Sequence, residues 1–418
     1  MSLATAASPE LPSGVRGYAV LLARRPAFRH LWLGSVASQM GDWFNTIALL
    51  GLLVELTGTP ASASLILVAQ LLPSAVAGLF ISGVLADRFN RKHLMVICDL
   101  VRALIALSYL LVRAPDRVWL AYAATAGLSL VSAFFLPASS ASTPNLVAAD
   151  ELPTANALMQ STFASTLFVG SFVGGVIAQF LGRDAAFALN ALSFAISAHL
   201  IWRAKGDFNR DESRQWVAGE KAWRVLVEGF RYVRDSIVAR TYLTAKLGWA
   251  VTFGAISLYS AFSLQVYRLG DVGTSWLYTA RGLGAFCGPL VVSTLFPLTH
   301  LRVLRLAVRV GLVVNALGYI AFALSEHIWQ GVLGVFGAHL GAACVWTFSN
   351  VMLQSSTPDH VRGRVMSLDN VAFSLTYSLA TLAAGALAAR WGAPIGALCV
   401  SVAGLAMSIL WIIGAWKL

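Results

Sequence analysis

Long runs of apolar residues constrain most strongly what this chain can fold into. Twelve such runs follow one another along the 418 residues, and each is close to the length that a membrane-crossing helix needs, about 20 residues. Charged residues make up only 12% of the chain, roughly half of their share in soluble domains. The sequence therefore predicts an all-α integral membrane protein. The runs cover 28–54, 61–86, 94–112, 119–136, 162–181, 185–202, 243–266, 275–296, 303–324, 328–353, 365–389 and 393–416.

A polar connection in the middle of the chain separates the twelve predicted helices into two sets of six. The turn at 56–60 resembles the turn at 269–273, about 210 residues later. Such an offset indicates that the two sets are pseudo-symmetric six-helix bundles. The predicted divisions are a cytoplasmic N-terminal tail (1–27), the first bundle (28–203), a cytoplasmic linker (204–240) and the second bundle (241–418).

The net charge of +11 is distributed as a membrane topology requires, and not as a nucleic-acid-binding surface requires. Most of the 30 Lys and Arg residues fall in alternate connections, with the densest group in the linker. The positive-inside rule then predicts a multi-pass protein of the bacterial inner membrane, with both termini in the cytoplasm. Trp223, Val227 and Phe230 recur at helical spacing in the linker, so we expect a basic amphipathic helix against membrane lipid. No nucleic-acid partner is expected.

A charged motif follows the second predicted helix. From residue 83 to residue 92 it reads Gly-Val-Leu-Ala-Asp-Arg-Phe-Asn-Arg-Lys. It closely resembles the signature G-x-x-x-D-R-x-G-R-K/R of the major facilitator superfamily, at the loop where that family carries it. Asn90 stands where the family has a second glycine, and asparagine also accepts left-handed backbone conformations. The resemblance implies the major facilitator fold, with twelve transmembrane helices in two bundles, and a secondary transporter.

The resemblance also implies a conformational latch. In the family, this motif holds the cytoplasmic ends of the two halves together in the outward-facing state. A carboxylate and basic residues in a tight turn at a helix end have the charges that such a contact needs. We expect Asp369, near the same end of the eleventh helix, to take part in gate pairing. The residues assigned to the latch are Gly83, Asp87, Arg88, Arg91, Lys92 and Asp369.

The layout of the whole chain points to one subgroup within the family. Segments 135–138 and 155–158 resemble the bacterial subgroup that contains the enterobactin exporter. Members of that subgroup export siderophores, drugs and other amphipathic molecules, usually against an inward proton flow. The resemblance therefore implies a proton-coupled exporter of a small amphipathic molecule that works by alternating access. Its expected partners are this substrate, protons and membrane lipid.

Asp42 is the sharpest candidate for a coupling residue. It lies in the middle of the first predicted helix, and an ionisable residue at membrane depth costs several kcal/mol unless it is paired or hydrated. Gln39 and Asn45 lie three residues to either side, so one helix face carries two amides and a carboxylate. We expect this face to line a central cavity, where Asp42 binds a proton or a cationic group. A buried structural carboxylate with a basic partner is the alternative.

Other ionisable residues fall inside the predicted helices. Asp99 and Arg102 lie three residues apart, where they can neutralise each other, so a structural pair is favoured although Arg102 remains a coupling candidate. Arg281 has no acid nearby in sequence, so it needs a partner from another helix or an anionic ligand. Lys246 lies near the end of a predicted helix, where pairing across a gate or snorkelling to the membrane surface would explain a charged residue without a ligand.

Aromatic residues are numerous enough to form an apolar cavity wall for an aromatic substrate. The sequence does not separate wall residues from those that face lipid or neighbouring helices. The candidates are Trp43, Phe44, Trp249, Phe253, Tyr259, Tyr278, Trp346 and Phe348.

Two other functions stay open. A translocase for lipid or lysophospholipid would share the fold. An integral-membrane enzyme is disfavoured because the seven histidines are scattered, without metal-ligand or nucleophile–base spacing. No glycine-rich lysine motif for a nucleotide is present in the sequence. We expect no enzymatic activity, no cofactor and no bound metal, and we expect a monomer.

Overall fold

The computed structural model describes residues 15–80, 90–209, 222–296 and 300–415. Within these ranges the regular structure is helical throughout. Two short 3₁₀ segments, Ser108–Leu111 and Pro115–Arg117, connect α4 to α5. The helices of the first part are α1 (Val15–Arg24), α2 (Pro26–Thr57), α3 (Ala61–Phe80), α4 (Arg91–Leu107), α5 (Val118–Leu146), α6 (Leu152–Phe180) and α7 (Arg183–Arg203).

The second part of the chain continues the same pattern after the linker. Helix α9 runs on past its α-helical portion through a 3₁₀ segment, Phe253–Leu258, and a π-helical turn, Phe262–Val266. The helices are α8 (Ala222–Asp235), α9 (Ile237–Thr252), α10 (Gly270–Leu295), α11 (Leu301–Ala323), α12 (Ile328–Ser356), α13 (Asp359–Trp391) and α14 (Ala393–Gly414).

Nine helices of the described ranges are long and apolar enough to cross a membrane. They correspond to α4, α5, α6, α7, the extended α9, α11, α12, α13 and α14. The other three predicted runs form α2, α3 and α10, which pack among these nine. The prediction of an all-α integral membrane protein is therefore confirmed, whereas the count of twelve spans stays a prediction.

Glycines with positive φ mark four tight turns at one end of the helices. Among the described residues, Gly58 (φ 66°) follows α2 and Gly182 (φ 86°) precedes α7. The equivalent glycines about 210 residues later are Gly270 (φ 54°), the first residue of α10, and Gly392 (φ 89°), which precedes α14. A side chain at such a φ is strained, so glycine is the residue that permits the turn. Each turn of the first part recurs about 210 residues later, which supports the predicted internal repeat. We call this end the far end, and the end that carries the linker the linker end.

Ion pairs and hydrogen bonds hold segments together at the linker end. Arg25, at the corner between α1 and α2, donates to the Glu151 carboxylate over 2.6 Å just before α6. Burial acts to raise the pKa of Glu151, but the bonds from Arg25 and from the Ala148 amide outweigh it and hold that pKa below its usual value. Helix α8 packs on the second part through an ion pair from Glu228 to Arg364, and the predicted contact of this helix with membrane lipid stays a prediction.

The two parts of the chain meet along α6 with α10 and along α3 with α13. Glycine allows the helix backbones to approach closely at these contacts, as small residues do in membrane helix packing. A Cβ atom at Gly282 on α10 would lie 2.7 Å from the backbone nitrogen of Phe168 on α6. This crossing brings the middle of α10, with its charged and aromatic side chains, against the first part.

We predict that Gly282→Ala destabilises the protein by about 1–3 kcal/mol, because the added methyl group must push two backbones apart. The melting temperature of the purified protein in detergent measures the effect. Gly337→Ala on α12 is the matched control, since a Cβ atom there meets no atom within 4 Å. Equal melting temperatures for the two variants would show that the crossing is not tightly packed.

Candidate functional site

The three members of the predicted polar face of α2 lie in different surroundings. Gln39 accepts a hydrogen bond of 3.0 Å from Thr166 on α6. Asn45 is buried, and its side-chain oxygen has no hydrogen-bond partner among the described residues. Asp42 lies deep in the protein but remains partly accessible. Within the described ranges its carboxylate makes no ion pair or hydrogen bond, and the charges that act on it are those of Arg102 and Asp99.

Asp99 and Arg102 form a buried ion pair on α4. The Arg102 guanidinium lies 4.2 Å from the ring centroid of Phe135 and 4.6 Å from that of Phe194, so it is held between two aromatic rings. A pair this enclosed has the features of a structural element. Its charges reach Asp42 through the surrounding low-dielectric interior, where electrostatic interactions are stronger than in water.

Arg281, in the middle of α10, is surrounded by aromatic side chains. Its guanidinium carbon is 5.6 Å from the ring centroid of Tyr278 and 5.8 Å from that of Phe253. Among the described residues no acidic side chain pairs with it. Other groups around it are joined to one another, because Tyr319 bonds both Tyr259 (3.1 Å) and the His339 ring (2.7 Å).

An aromatic contact crosses between the two parts of the chain beside these charged residues. Trp43, the neighbour of Asp42, has its ring centroid 6.0 Å from that of Tyr278, three residues before Arg281. The Trp43 side chain packs closely over Gly170 on α6. The structure thus brings together α2, α6 and α10 at the place where the two candidate charges, Asp42 and Arg281, lie in opposite parts of the chain.

Asp369 lies in a buried pair within the second part. It contacts Lys246 on α9, and both side chains are 1% exposed. Lys246 also donates to the Asn350 side chain over 2.7 Å, and its ammonium lies 4.7 Å from the ring centroid of Trp346. The described structure therefore places Asp369 against a partner of its own half, and a role in gate pairing stays a prediction.

The remaining latch residues fall partly outside the described ranges. Gly83, Asp87 and Arg88 lie in residues 81–89, which the structure does not describe. Arg91 donates to the carbonyl oxygen of Ala141 at 3.0 Å, and Lys92 donates to a carbonyl oxygen after α7 at 2.9 Å. These bonds tie α4 to α5 and to the start of the linker, and the latch itself stays a prediction.

Sequence reasoning missed a charged cluster at the far end. Arg183, the first residue of α7, donates to Asp271 on α10 at 2.7 Å and 3.3 Å and to Glu55 on α2 at 2.7 Å. A second contact joins α3 to the extended α9, where Ser64 donates to Ser257 over 3.0 Å. The Arg183–Asp271 and Ser64–Ser257 contacts cross between the two parts of the chain. The available signal was the presence of charged residues beside the glycine turns at 58, 182 and 270.

We predict that Asp369→Asn lowers stability by about 3–5 kcal/mol, because it leaves the buried Lys246 charge without its counter-ion. The double variant Lys246→Met with Asp369→Leu is expected to recover most of this loss, since both charges are then absent. Thermal unfolding in detergent compares the three proteins. A single variant as stable as the wild type would contradict the assignment of a structural pair.

Two helical parts that meet around buried charged and aromatic side chains are the arrangement that a membrane transport protein would have. The sequence model of the Major Facilitator Superfamily matches residues 31–374. The chain therefore belongs to the major facilitator superfamily and is a membrane transporter, as its loop motif predicted.

Relatives include named efflux proteins. The chain is 26% identical over 387 residues to the multidrug efflux pump Tap of Mycolicibacterium fortuitum, covering 88% of this chain and 91% of Tap. It is 24% identical over 383 residues to the putative bacilysin exporter BacE of Bacillus subtilis, covering 91% and 93%. With the uncharacterized transporter YfiS of B. subtilis it shares 27% identity over 217 residues, about half of each chain.

Solved structures share the fold over almost the whole chain. A mutant of the nucleoside transporter NupG superposes with a TM-score of 0.70 at 12% identity, covering 93% of this chain and 99% of NupG. A mutant of the peptide transporter POT in complex with alafosfalin gives 0.72 at 13%, covering 93% and 94%. A bacterial homologue of the lysosomal transporter Spinster, in an inward-facing conformation, gives 0.68 at 14%, covering 94% and 95%. At these identities the likeness concerns the fold alone.

Proposed function

We propose that the protein exports a small amphipathic molecule from the cytoplasm in exchange for protons, by alternating access of a cavity between its two halves. The observation that carries the proposal is the Asp42 carboxylate, which lies deep in α2 without a direct ion-pair partner among the described residues. An ionisable group kept unpaired at membrane depth is costly, and such groups mark proton and substrate pathways.

The surroundings of Asp42 support a coupling role. Arg102 and Asp99 act on it through space, so the charge of Asp42 is sensitive to small movements of α4. Its neighbour Trp43 contacts Tyr278 in the other half. Protonation of Asp42 and movement of the halves are thus linked through adjacent residues of one helix. Tap and BacE are named as an efflux pump and a putative exporter, which agrees with outward transport.

Alternating access requires contacts that form in one conformation and break in another. The far-end cluster of Arg183, Glu55 and Asp271 has the composition of such a contact. When the halves separate, water can replace the ion-pair partner of each charged side chain. The motif at residues 83–92 would act at the linker end in the opposite conformation. The basic linker end is proposed to face the cytoplasm, with both termini.

Asp42→Asn is expected to reduce substrate accumulation driven by a pH gradient tenfold or more. Exchange of substrate at equal pH on both sides should continue. The physical reason is that asparagine keeps the shape and polarity of the site but cannot bind and release a proton. Proteoliposomes with an imposed pH gradient, tested with fluorescent amphiphiles of positive, zero and negative charge, measure both activities.

Asp184→Asn is the matched control for this experiment. Asp184 is an exposed carboxylate at the far end, paired with Arg113 over 2.8 Å. It should leave gradient-driven accumulation unchanged. Normal accumulation by Asp42→Asn, or equal loss in both variants, would refute the assignment of the proton site.

Arg183→Gln is expected to make the far end open more often, because it removes the cation that joins Glu55 to Asp271. Hydrogen bonds to charged groups contribute enough free energy that their loss should raise the accessibility of the far end roughly tenfold. The rate at which a membrane-impermeant maleimide labels Ser257→Cys, in a background without the native cysteines, reports the opening. Arg113→Gln, at the same end but bonded within one half, should leave the rate unchanged. Unchanged labelling in Arg183→Gln would exclude the cluster as a gate.

A further inference from the structure

The Arg281 guanidinium lacks a counter-ion in the described structure. The titratable groups that act on it are tyrosines, Tyr377, Tyr278, Tyr319 and Tyr259, and it in turn acts on His339. The two rings over which it lies are at the outer limit of a cation–π contact, about 6 Å, where the gain is small. A cation at membrane depth needs a stronger stabilising partner than these two rings provide. A negative charge from another molecule would therefore complete the site.

The accessibility of Arg281 places it beside a space rather than within solid packing. It lies deep in the protein, yet part of its surface remains accessible. Phe253 and Tyr278, the rings nearest to it, are 5% and 1% exposed. A charged group that keeps accessible surface among buried rings borders a space that water can reach.

The hydroxyl groups around Arg281 divide into occupied and unoccupied ones. The Tyr259 and Tyr319 hydroxyls bond each other, and Tyr319 also bonds His339. The Tyr278 hydroxyl is buried and has no hydrogen-bond partner among the described residues. A buried hydroxyl without a partner costs free energy, so an acceptor at this position would be favoured. Arg281 and Tyr278 therefore supply donors close to each other, three residues apart on one helix.

The remaining wall is aromatic and includes a residue of the other half. Trp43 contacts Tyr278 from α2, and Tyr278 also packs edge-on against Tyr259 at a centroid distance of 5.3 Å. Of these rings, Trp43 keeps accessible surface, and such a ring stacks with the aromatic part of a ligand. A molecule held here would contact both halves, as a transported substrate must in alternating access.

We propose that Arg281 and the Tyr278 hydroxyl bind the carboxylate of an anionic aromatic amphiphile, whose ring lies beside Trp43. This inference rests on the exporter function proposed above and gives its substrate class. Arginine suits the role because its planar donors match a carboxylate in a bidentate geometry. A cationic substrate at this position would be repelled by Arg281.

Equilibrium binding to the purified full-length protein tests the proposal. The probe is 2-naphthoate, compared with 2-naphthamide and 2-naphthylmethylammonium, which have the same ring but different charge, and with inorganic phosphate, which has charge but no ring. Thermal stabilisation and equilibrium dialysis measure the binding. We expect 2-naphthoate to bind at least tenfold more tightly than each of the other three.

Variants of two residues separate the charge from the rings. Arg281→Gln should weaken 2-naphthoate binding about 10- to 100-fold, Arg281→Lys should weaken it less, and Tyr278→Phe should weaken it by a few fold. Without ligand, Arg281→Gln should melt at or above the wild-type temperature, because no ion pair is broken. Arg390→Gln is the control, since Arg390 is exposed and stacks on Trp391 at the far end of α13.

Several results would overturn the proposal. These are equal binding of the three naphthyl probes, no binding of 2-naphthoate to the wild type, equal protection by phosphate, or unchanged 2-naphthoate binding in Arg281→Gln. A large loss of stability in ligand-free Arg281→Gln would also overturn it, because it would show a structural role. No pH gradient is present in this experiment, so its failure would leave proton coupling at Asp42 standing, and failure of Asp42→Asn would leave the binding result standing.

Discussion

The cost of placing a charge in the hydrocarbon core is the constraint on which the rest of this structure depends. Apolar helices satisfy their own backbone hydrogen bonds, so they cross the membrane without a special arrangement. Each ionisable side chain inside them must be paired, hydrated or neutralised. In the described part of the protein, some buried charges are paired with an opposite charge, and others have no direct partner.

Some charges are enclosed. Asp99 with Arg102 and Asp369 with Lys246 form buried pairs, and aromatic rings cover the cation of each pair. Pairs of this kind keep their charge without access to water, and removal of one partner leaves the other exposed to the full cost of burial. They fix the packing within each half, which is what a half needs if it is to move as a rigid body.

Other charges are left without a direct partner among the described residues. Asp42 and Arg281 lie in opposite halves, and Trp43 and Tyr278 contact each other between them. In the proposed function, this arrangement places the proposed proton-binding group and the proposed anion-binding group on different moving bodies. Coupling then requires only that the separation of the halves changes the surroundings of both groups, and the Arg183 cluster is a contact that such a separation would break.

The sequence by itself determined the class of the protein. Helix positions, the internal repeat and the family follow from run lengths, turn glycines and the 83–92 motif, because these are local in the chain. Only the tertiary structure decided the partners of the charges. Asp369 and Lys246 are 123 residues apart, and Arg183 reaches Asp271 across 88 residues. Contacts between residues so far apart in the chain depend on how the helices cross. The periodicity along one helix carries no information about its neighbours.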